Sequence, residues 1–500
     1  MTNRRRLYPD LLLSVTTFAL VALAAGRVYR FPFDDEITTL WSMKAMAQST
    51  GPGLLWANLS EMNPPLFRLI FYAGSAAGLN TDSLRWISMF CTAGALASWH
   101  WLTLDALAES NPLAANRILI AILFGLTPLA ISQGDALRWY PPLALAIAIA
   151  FVIYFTSARW WLSGIAFGIA ADLGFIALLP FLAVMVCRLF GERQLGERRL
   201  GWREEGGFLL LTGLFATPGF ISFIDLIRNR RFAGIEAIHY TPNLVRRALE
   251  TPLGFFGGVT LGLSQAWLVA LAIGATLWLA YRSLNSASNR RATRLRNLIF
   301  ITAAFAATFT LTGFSEPRAY LFLSPMISAL AAIGFAYAIT SSSGLAAASY
   351  AALIVVSIAV VANLRASDTP FKRNAAIPYA EVMEFARANQ GHKTVVVTTD
   401  PVVAYTLSDS PDVCTERFIS WAKVWAFARC RNLRSDTVIV VTDMPLDDND
   451  PTWRARLAAI IAGKSAVAEA HFGRDKDALL KNRLTGSRLP VTLVDAVVYR

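Results

Sequence analysis

Apolar residues run through the first three-quarters of this chain in stretches of about 20, each long enough to cross a hydrocarbon layer of roughly 30 Å as a helix. The stretches fall at roughly 11–30, 84–107, 117–133, 139–157, 160–172, 173–190, 207–227, 254–281, 298–315, 319–340 and 344–363. The pattern predicts a polytopic α-helical membrane protein with about eleven spans. Residues 160–190 are the ambiguous stretch, because Asp172 interrupts them and they read as one long helix or two short ones. Two helices meeting near Asp172 keep the basic loops 188–205 and 282–297 on the same side of the bilayer, as charge-directed insertion requires. They also spare the carboxylate a midplane position that costs about 2.5–3.5 kcal/mol. A helix-junction residue is therefore the plainer reading of Asp172, ahead of a catalytic one.

Two connections are long. The first, 31–83, holds FPFDDEITTLWSMKAMAQS and MNPPLFRLIFYAGSAAG, where apolar residues recur at three and four: Leu40, Met43, Ala47 and Leu66, Ile70, Ala73. This predicts two amphipathic helices at the interface, the second opened by Pro64 and Pro65. The other, 228–253, carries Arg228, Arg230, Arg231, Arg246 and Arg247, which read as an interface helix against anionic head groups rather than a substrate site. Beyond Asn363 the period changes. KTVVVTTD (393–400), DTVIVVTD (436–443) and LPVTLVDAVVYR (489–500) read as buried strands, with helices near 378–390, 416–429 and 452–463. The expected organisation is a membrane domain over 1–365 and a small α/β domain over 366–500. Aspartates ending VTTD and VVTD read as turn caps in preference to metal ligands.

Composition sharpens the class. Of 500 residues 55% are hydrophobic and only 16% charged, against about a quarter charged in soluble domains. A net charge of +12 suggests nucleic acid, but the arginines cluster in short loops between apolar runs, which is how basic residues orient membrane proteins. No nucleic-acid partner is expected. MTNRRR and the apolar run after it read as an uncleaved first helix with a cytoplasmic amino end. Eleven spans then place the carboxy-terminal domain outside, in the periplasm of a bacterial inner membrane. Cys91 and Cys187 lie in apolar runs as packing residues. Cys414 and Cys430 fall in the outer domain, where their spacing leaves a disulfide open either way.

The acid cluster Asp34-Asp35-Glu36 follows the first span directly. Three adjacent carboxylates at a membrane surface repel one another and need a cation or a task. As the first residues of a helix they also have an ordinary capping role, and spacing does not separate the two. There is no Walker loop, HExxH, paired CxxC or GxSxG. The histidines His100, His239, His392 and His471 are scattered; His239, beside Tyr240, reads as a solvated loop residue.

The order of motifs resembles the GT-C superfamily, in particular protein O-mannosyltransferases and lipid A aminoarabinose transferases. A DE pair after the first span leads to an amphipathic stretch, then NPPL, then Gly78 and Leu84-Arg85. GDALRWYPPLAL (134–145) looks like the group's Arg-x-Tyr opening of a span, and SEPRAYLFLSPMISALAAIGF (315–335) like its Arg-Tyr-Leu pattern, with Ala319 intervening. The resemblance covers roughly 1–365 and implies a glycosyltransferase that uses a polyprenyl-phosphate sugar donor and an acceptor that is a lipid, glycan or protein. It implies Asp35 as catalytic base with Glu36 beside it. Asp34, Glu61, Asn63, Arg85, Arg138, Tyr140, Arg318 and Tyr320 become candidate substrate-binding residues. Asn63 stands where many members have His or Lys. That leaves the second acid, and a divalent metal, unassigned; no cofactor is required. The residue types suit the chemistry: a carboxylate can take the proton of an attacking hydroxyl, and guanidinium groups can hold a leaving phosphate bidentately. The rival reading is a transporter or flippase for a lipid-linked saccharide, but such proteins place ionisable residues near the midplane, whereas these acids sit at the outer surface.

Overall fold

A computed structural model of the chain describes chiefly residues 34–51, 64–107, 136–157, 159–189, 194–195, 198–228, 290–311, 320–341, 377–407, 413–417, 435–442, 451–474 and 492–500, with a few isolated positions elsewhere. The chain divides into two compact units: residues 1–29 with 41–365, and residues 30–40 with 366–500.

Helix α1 (Asp34–Ala47) crosses that division, its residues 34–40 grouping with the second unit. Ile37, Leu40, Met43 and Met46 form its buried stripe, while Ala47 is exposed. Helix α2 (Pro65–Ala76) starts with Pro64 at its cap and Pro65 in its first turn, where a missing N–H costs nothing. Its buried face differs from the expected one. Pro65, Phe67, Arg68 and Phe71 are buried, whereas Leu66 and Ile70 are half-exposed and Ala73 is exposed. Almost every position from 65 to 72 is apolar, so hydrophobicity alone did not choose the face.

The first unit continues through α3 (Thr81–Leu107), α4 (Tyr140–Thr156), α5 (Trp160–Leu173) and, after a 3-10 turn at Phe175–Ala177, α6 (Leu178–Leu189). A two-strand hairpin, β1 (Gln194–Leu195) with β2 (Arg198–Arg199), leads to α7 (Trp202–Arg228); α8 (Arg290–Leu311) and α9 (Leu323–Ser341) follow. Side-chain packing fixes the helix directions. Gly94 of α3 lies against Leu145 of α4, and the Trp99 and Phe151 rings pack at a tilt with centres 5.2 Å apart, so these helices run parallel. Phe151 meets Phe167 at 5.6 Å while Trp139 covers Gly174, so α5 runs back against α4. Along α5 and α7, Trp160 meets Gly207, Gly164 meets Phe208, Gly168 meets Phe215 and Asp172 meets Gly219. Both sets of numbers rise together, hence α5 and α7 are parallel. Since Arg188 at the end of α6 reaches Glu205 at the start of α7, α6 must run the other way. The 160–190 stretch is thus two helices that reverse at Gly174.

Glycine makes the α5–α7 contact possible. A Cβ on Gly164 would stand 2.8 Å from the Phe208 carbonyl oxygen, and one on Gly168 would stand 2.5 Å from the Phe215 Cβ. The two backbones touch, as small residues four apart allow in apolar surroundings, and the Thr212 hydroxyl donates to the Gly164 carbonyl at 3.2 Å.

Eleven complete spans are not what the described residues contain. Among them, only Trp202–Ile224 is both long and apolar enough to cross a membrane. The expected spans near 117–133, 254–281 and 344–363, and most of 11–30, lie outside the described residues. Others are short or polar at their ends. Helices α5 and α6 have 14 and 12 residues, about 21 and 18 Å at 1.5 Å per residue. Helix α3 is long but carries Asp82, Arg85, His100 and Asp105. Hydropathy finds apolar runs without revealing where a helix breaks inside one.

The second unit is a five-stranded sheet with helices. In chain order come α10 (Tyr379–Ala388), β3 (Thr394–Thr398), α11 (Pro401–Leu407), β4 (Val413–Arg417), β5 (Thr437–Thr442), α12 (Pro451–Ile461), β6 (Ala466–Arg474) and β7 (Thr492–Tyr499). The strand order is β4-β3-β5-β7-β6; β3 pairs in parallel with β4 and β5, and β7 runs antiparallel to β5 and β6. Val395, Val397, Val438, Val440 and Ile460 pack as one core cluster. The three expected strands are present. Strands β4 and β6 are additional, and β4 occupies 416–417, where the sequence suggested the start of a helix. Cys414 is disulfide-bonded and Cys91 and Cys187 are free; Cys430 lies outside the described residues.

Candidate functional site

Parallel packing of α3 and α4 brings their first turns to one end of the bundle, and the return of α5 brings Asp172 and Gly174 there too. Arg85, in the first turn of α3, is fully buried and donates to Asp82 at 3.2 Å. Two turns on, the Thr92 hydroxyl donates to the Gly134 carbonyl at 2.9 Å, which fastens the segment before α4 onto α3. That segment carries Arg138, half-buried, with its guanidinium 5.6 Å from the centre of the Tyr140 ring. Tyr140 opens α4 and is buried, and the Trp139 ring meets it edge-on at 4.5 Å. Trp139 in turn rests on Gly174, where a Cβ would lie 2.9 Å from the indole. Three of the candidate residues, Arg85, Arg138 and Tyr140, therefore share this end.

The others fare differently. Tyr320 is fully buried just before α9, with its ring 6.1 Å from Phe322. Asp34, Asp35 and Glu36 form the first turn of α1; Glu36 is fully buried, and the side chains of Asp34 and Asp35 lie outside the described residues. Glu61, Asn63, Arg318, His239 and Tyr240 also lie outside them. Among the described residues no three His, Cys, Asp or Glu side chains are grouped to hold a metal.

Asp172 ends α5 half-buried. The Gly219 backbone approaches the carboxylate, yet Oδ1 is sealed from solvent and meets no donor at hydrogen-bonding geometry. A buried acceptor left so costs about 1–3 kcal/mol, more when charged. Asp400 in the second unit shows the satisfied alternative. Its Oδ1 accepts the Val402 and Val403 amides at 2.7 and 3.1 Å, and its Oδ2 accepts the Tyr379 hydroxyl at 2.8 Å. Asp400 is a helix cap, as the turn reading of VTTD expected.

Buried arginines escaped the sequence reading, Arg68 and Arg188 among them. Arg68 is fully covered on α2; the available signal was its position between Phe67 and Phe71 on one helical face. Arg188, counted only as a loop charge, is 2% exposed and forms a fork with Glu205, Nε to Oε2 at 3.1 Å and Nη2 to Oε1 at 2.6 Å. Its guanidinium also lies 5.4 Å from the Phe208 ring centre. This pair stands at the end of the bundle opposite Arg138, since Tyr140 and Thr156 bound the intervening α4.

No family model matches the chain, and no curated protein does. Solved structures do. Crystal structures of ArnT from Cupriavidus metallidurans, in the apo state and bound to undecaprenyl phosphate, align over 97% of this chain and 97% of theirs. Each gives a TM-score of 0.52, at 12% and 13% sequence identity respectively. At that identity the likeness concerns the fold: this mostly helical chain with its carboxy-terminal sheet shares the fold of ArnT along nearly its whole length.

Proposed function

We propose that the protein is a bacterial inner-membrane glycosyltransferase that moves a sugar from a polyprenyl-phosphate donor to an acceptor hydroxyl on the extracytoplasmic side, with inversion. The observation that carries this reading is the full-length fold likeness to ArnT, one of whose structures holds undecaprenyl phosphate. The arginine-bearing end of the bundle supplies a chemical reason for the same donor class.

In the proposed step the acceptor oxygen attacks the anomeric carbon. Asp35 takes the hydroxyl proton, with Glu36 beside it. The bond from the anomeric carbon to the phosphate oxygen breaks, and the polyprenyl phosphate departs with the bonding electron pair. Arg138 and Arg318 hold that phosphate and offset the charge that grows on it, with Arg85 a further candidate for the same role. Asp34, Glu61, Asn63, Tyr140 and Tyr320 contact the substrates. Each buried methylene of the carrier tail adds about 0.8 kcal/mol to donor binding.

The test offers purified protein a panel of polyprenyl-phosphate sugars and compares wild type with Asp35→Asn. A positioned base contributes about 10²–10⁴-fold, so the variant should lose at least the lower figure in kcat while still binding donor. Full activity in the variant removes Asp35 from the mechanism. A wild type that translocates the lipid-linked sugar across vesicles without transferring it is a flippase, and the proposal fails.

A further inference from the structure

Trp139 lies between Arg138 and Tyr140, two residues that the transfer step uses, and has no task of its own in that step. Its neighbours form a stack. Gly174 presses on the benzo edge of the indole, where a Cβ would lie 2.9 and 3.0 Å from Cε3 and Cζ3. The indole meets the Tyr140 ring edge-on at 4.5 Å, and the Arg138 guanidinium stands 5.6 Å from the centre of that same tyrosine ring. Trp139 is 9% exposed and Tyr140 4%, so packing confines both rings.

The backbone beneath the stack is held as well. The Thr92 hydroxyl ties the Gly134 carbonyl to α3 at 2.9 Å. The Trp139 carbonyl accepts the Leu143 amide at 3.0 Å as α4 begins, and Pro141 and Pro142 restrict φ in its opening turn. Gly174 is there for space. Its φ of 173° is extended backbone that any residue adopts, so conformation does not demand glycine. An added Cβ would also lie 3.1 Å from the Leu143 Cδ2. The Trp139 ring and the Leu143 side chain claim the room that a side chain would take.

We infer that Trp139 is a positioning residue for Arg138. Seated on Gly174, the indole sets the place of the Tyr140 ring, and that ring sets the place of the guanidinium that holds the carrier phosphate; this rests on the transfer reaction proposed above. A planar guanidinium binds phosphate bidentately only when its fork is aimed at two oxygens. An aromatic face attracts the guanidinium without consuming one of its N–H donors. Charge grows on the leaving phosphate, so a donor already in place stabilises the transition state without reorganising.

The experiment follows transfer kinetics, polyprenyl phosphate binding by native mass spectrometry, and the melting midpoint in detergent. The variants are Trp139→Phe, Gly174→Ala, the two combined, and each single change on an Arg138→Ala background. Each single variant should lower kcat/KM for a polyprenyl-phosphate sugar about 10- to 100-fold, the effect of misplacing a catalytic group by about 1 Å. The combination should recover most of that loss, since phenylalanine vacates the ground that the alanine methyl needs. On the Arg138→Ala background neither change should matter further, because the group they aim is gone. Losses that multiply independently with that of Arg138→Ala overturn the inference, as do unchanged kinetics in Trp139→Phe. A loss that follows the melting midpoint and persists on the Arg138→Ala background is structural and overturns it too. If Gly174→Ala does not fold, Trp139→Phe with and without Arg138 decides alone. If Arg138→Ala changes neither binding nor transfer, the phosphate role of Arg138 and the inference fall together. If wild type binds polyprenyl phosphate but transfers nothing, the transferase reading falls; non-additive weakening of binding then keeps the inference and additive weakening overturns it. If wild type neither binds nor transfers, both fall.

Discussion

Replacing Glu205 with alanine leaves the Arg188 guanidinium buried with its fork partner gone. The geometry sets the expected size. Arg188 is 2% exposed and Glu205 only 13%, and two hydrogen bonds of 3.1 and 2.6 Å join them. An exposed ion pair contributes about 0–1 kcal/mol, whereas removing one partner of a buried pair costs about 3–5 kcal/mol through the uncompensated charge. The Phe208 ring, 5.4 Å away, faces the guanidinium in wild type and variant alike and does not offset the loss. Glu205→Ala should therefore lose about 3–5 kcal/mol, a factor of roughly 150 to 5,000 in the folding equilibrium. The assay is reversible unfolding in mixed micelles, followed by helical circular dichroism. Arg188→Met combined with Glu205→Met removes both charges and should lie closer to wild type than Glu205→Ala does. A loss below about 1 kcal/mol in Glu205→Ala, or a double variant worse than both single ones, refutes the argument that burial governs this pair.

Gly168→Val forces a side chain into the α5–α7 contact, where the Phe215 Cβ would stand 2.5 Å away; it should lower the melting midpoint sharply. Gly213→Ala, with nothing within 4 Å of the added Cβ, should gain up to about 1 kcal/mol from helix propensity. Equal effects would deny that backbone approach matters. In the second unit the His471 Nδ1–H donates to the Asp495 Oδ1 at 2.8 Å, and that hydrogen bond, with the nearby Asp495 and Glu469 charges, raises the histidine's pKa above the ordinary value. A raised folded-state value means the protonated imidazole favours folding. Its contribution is complete below the ordinary histidine range and disappears as pH rises through the raised value. Titrating His471 by NMR should show that value fall in Asp495→Asn; an unchanged titration refutes the coupling.

Several features were legible in the residues because they follow from local rules. Val-rich runs at 394–398 and 437–442 could only be buried strands, and Pro64-Pro65 could only open a helix. The reversal near Asp172 followed from charge parity across the basic loops, and the packing of Gly219 on Asp172 and of Trp160 on Gly207 displays it directly. Where local rules are silent the reading failed. The buried face of α2 was indeterminate because nearly every position is apolar. Strand β6 reads AVAEAHFGR, small and polar residues whose role comes from pairing with β7.

By itself, then, the sequence determined which segments avoid water and where a compact α/β unit begins, since transfer free energy and backbone propensity act residue by residue. Tertiary structure decided which helices touch and which charges are covered. Gly164 and Gly168 mean little until α7 lies on them. Arg68, Arg188 and Asp172 are ordinary polar residues until packing removes their water, and burial is a property of neighbours distant in sequence.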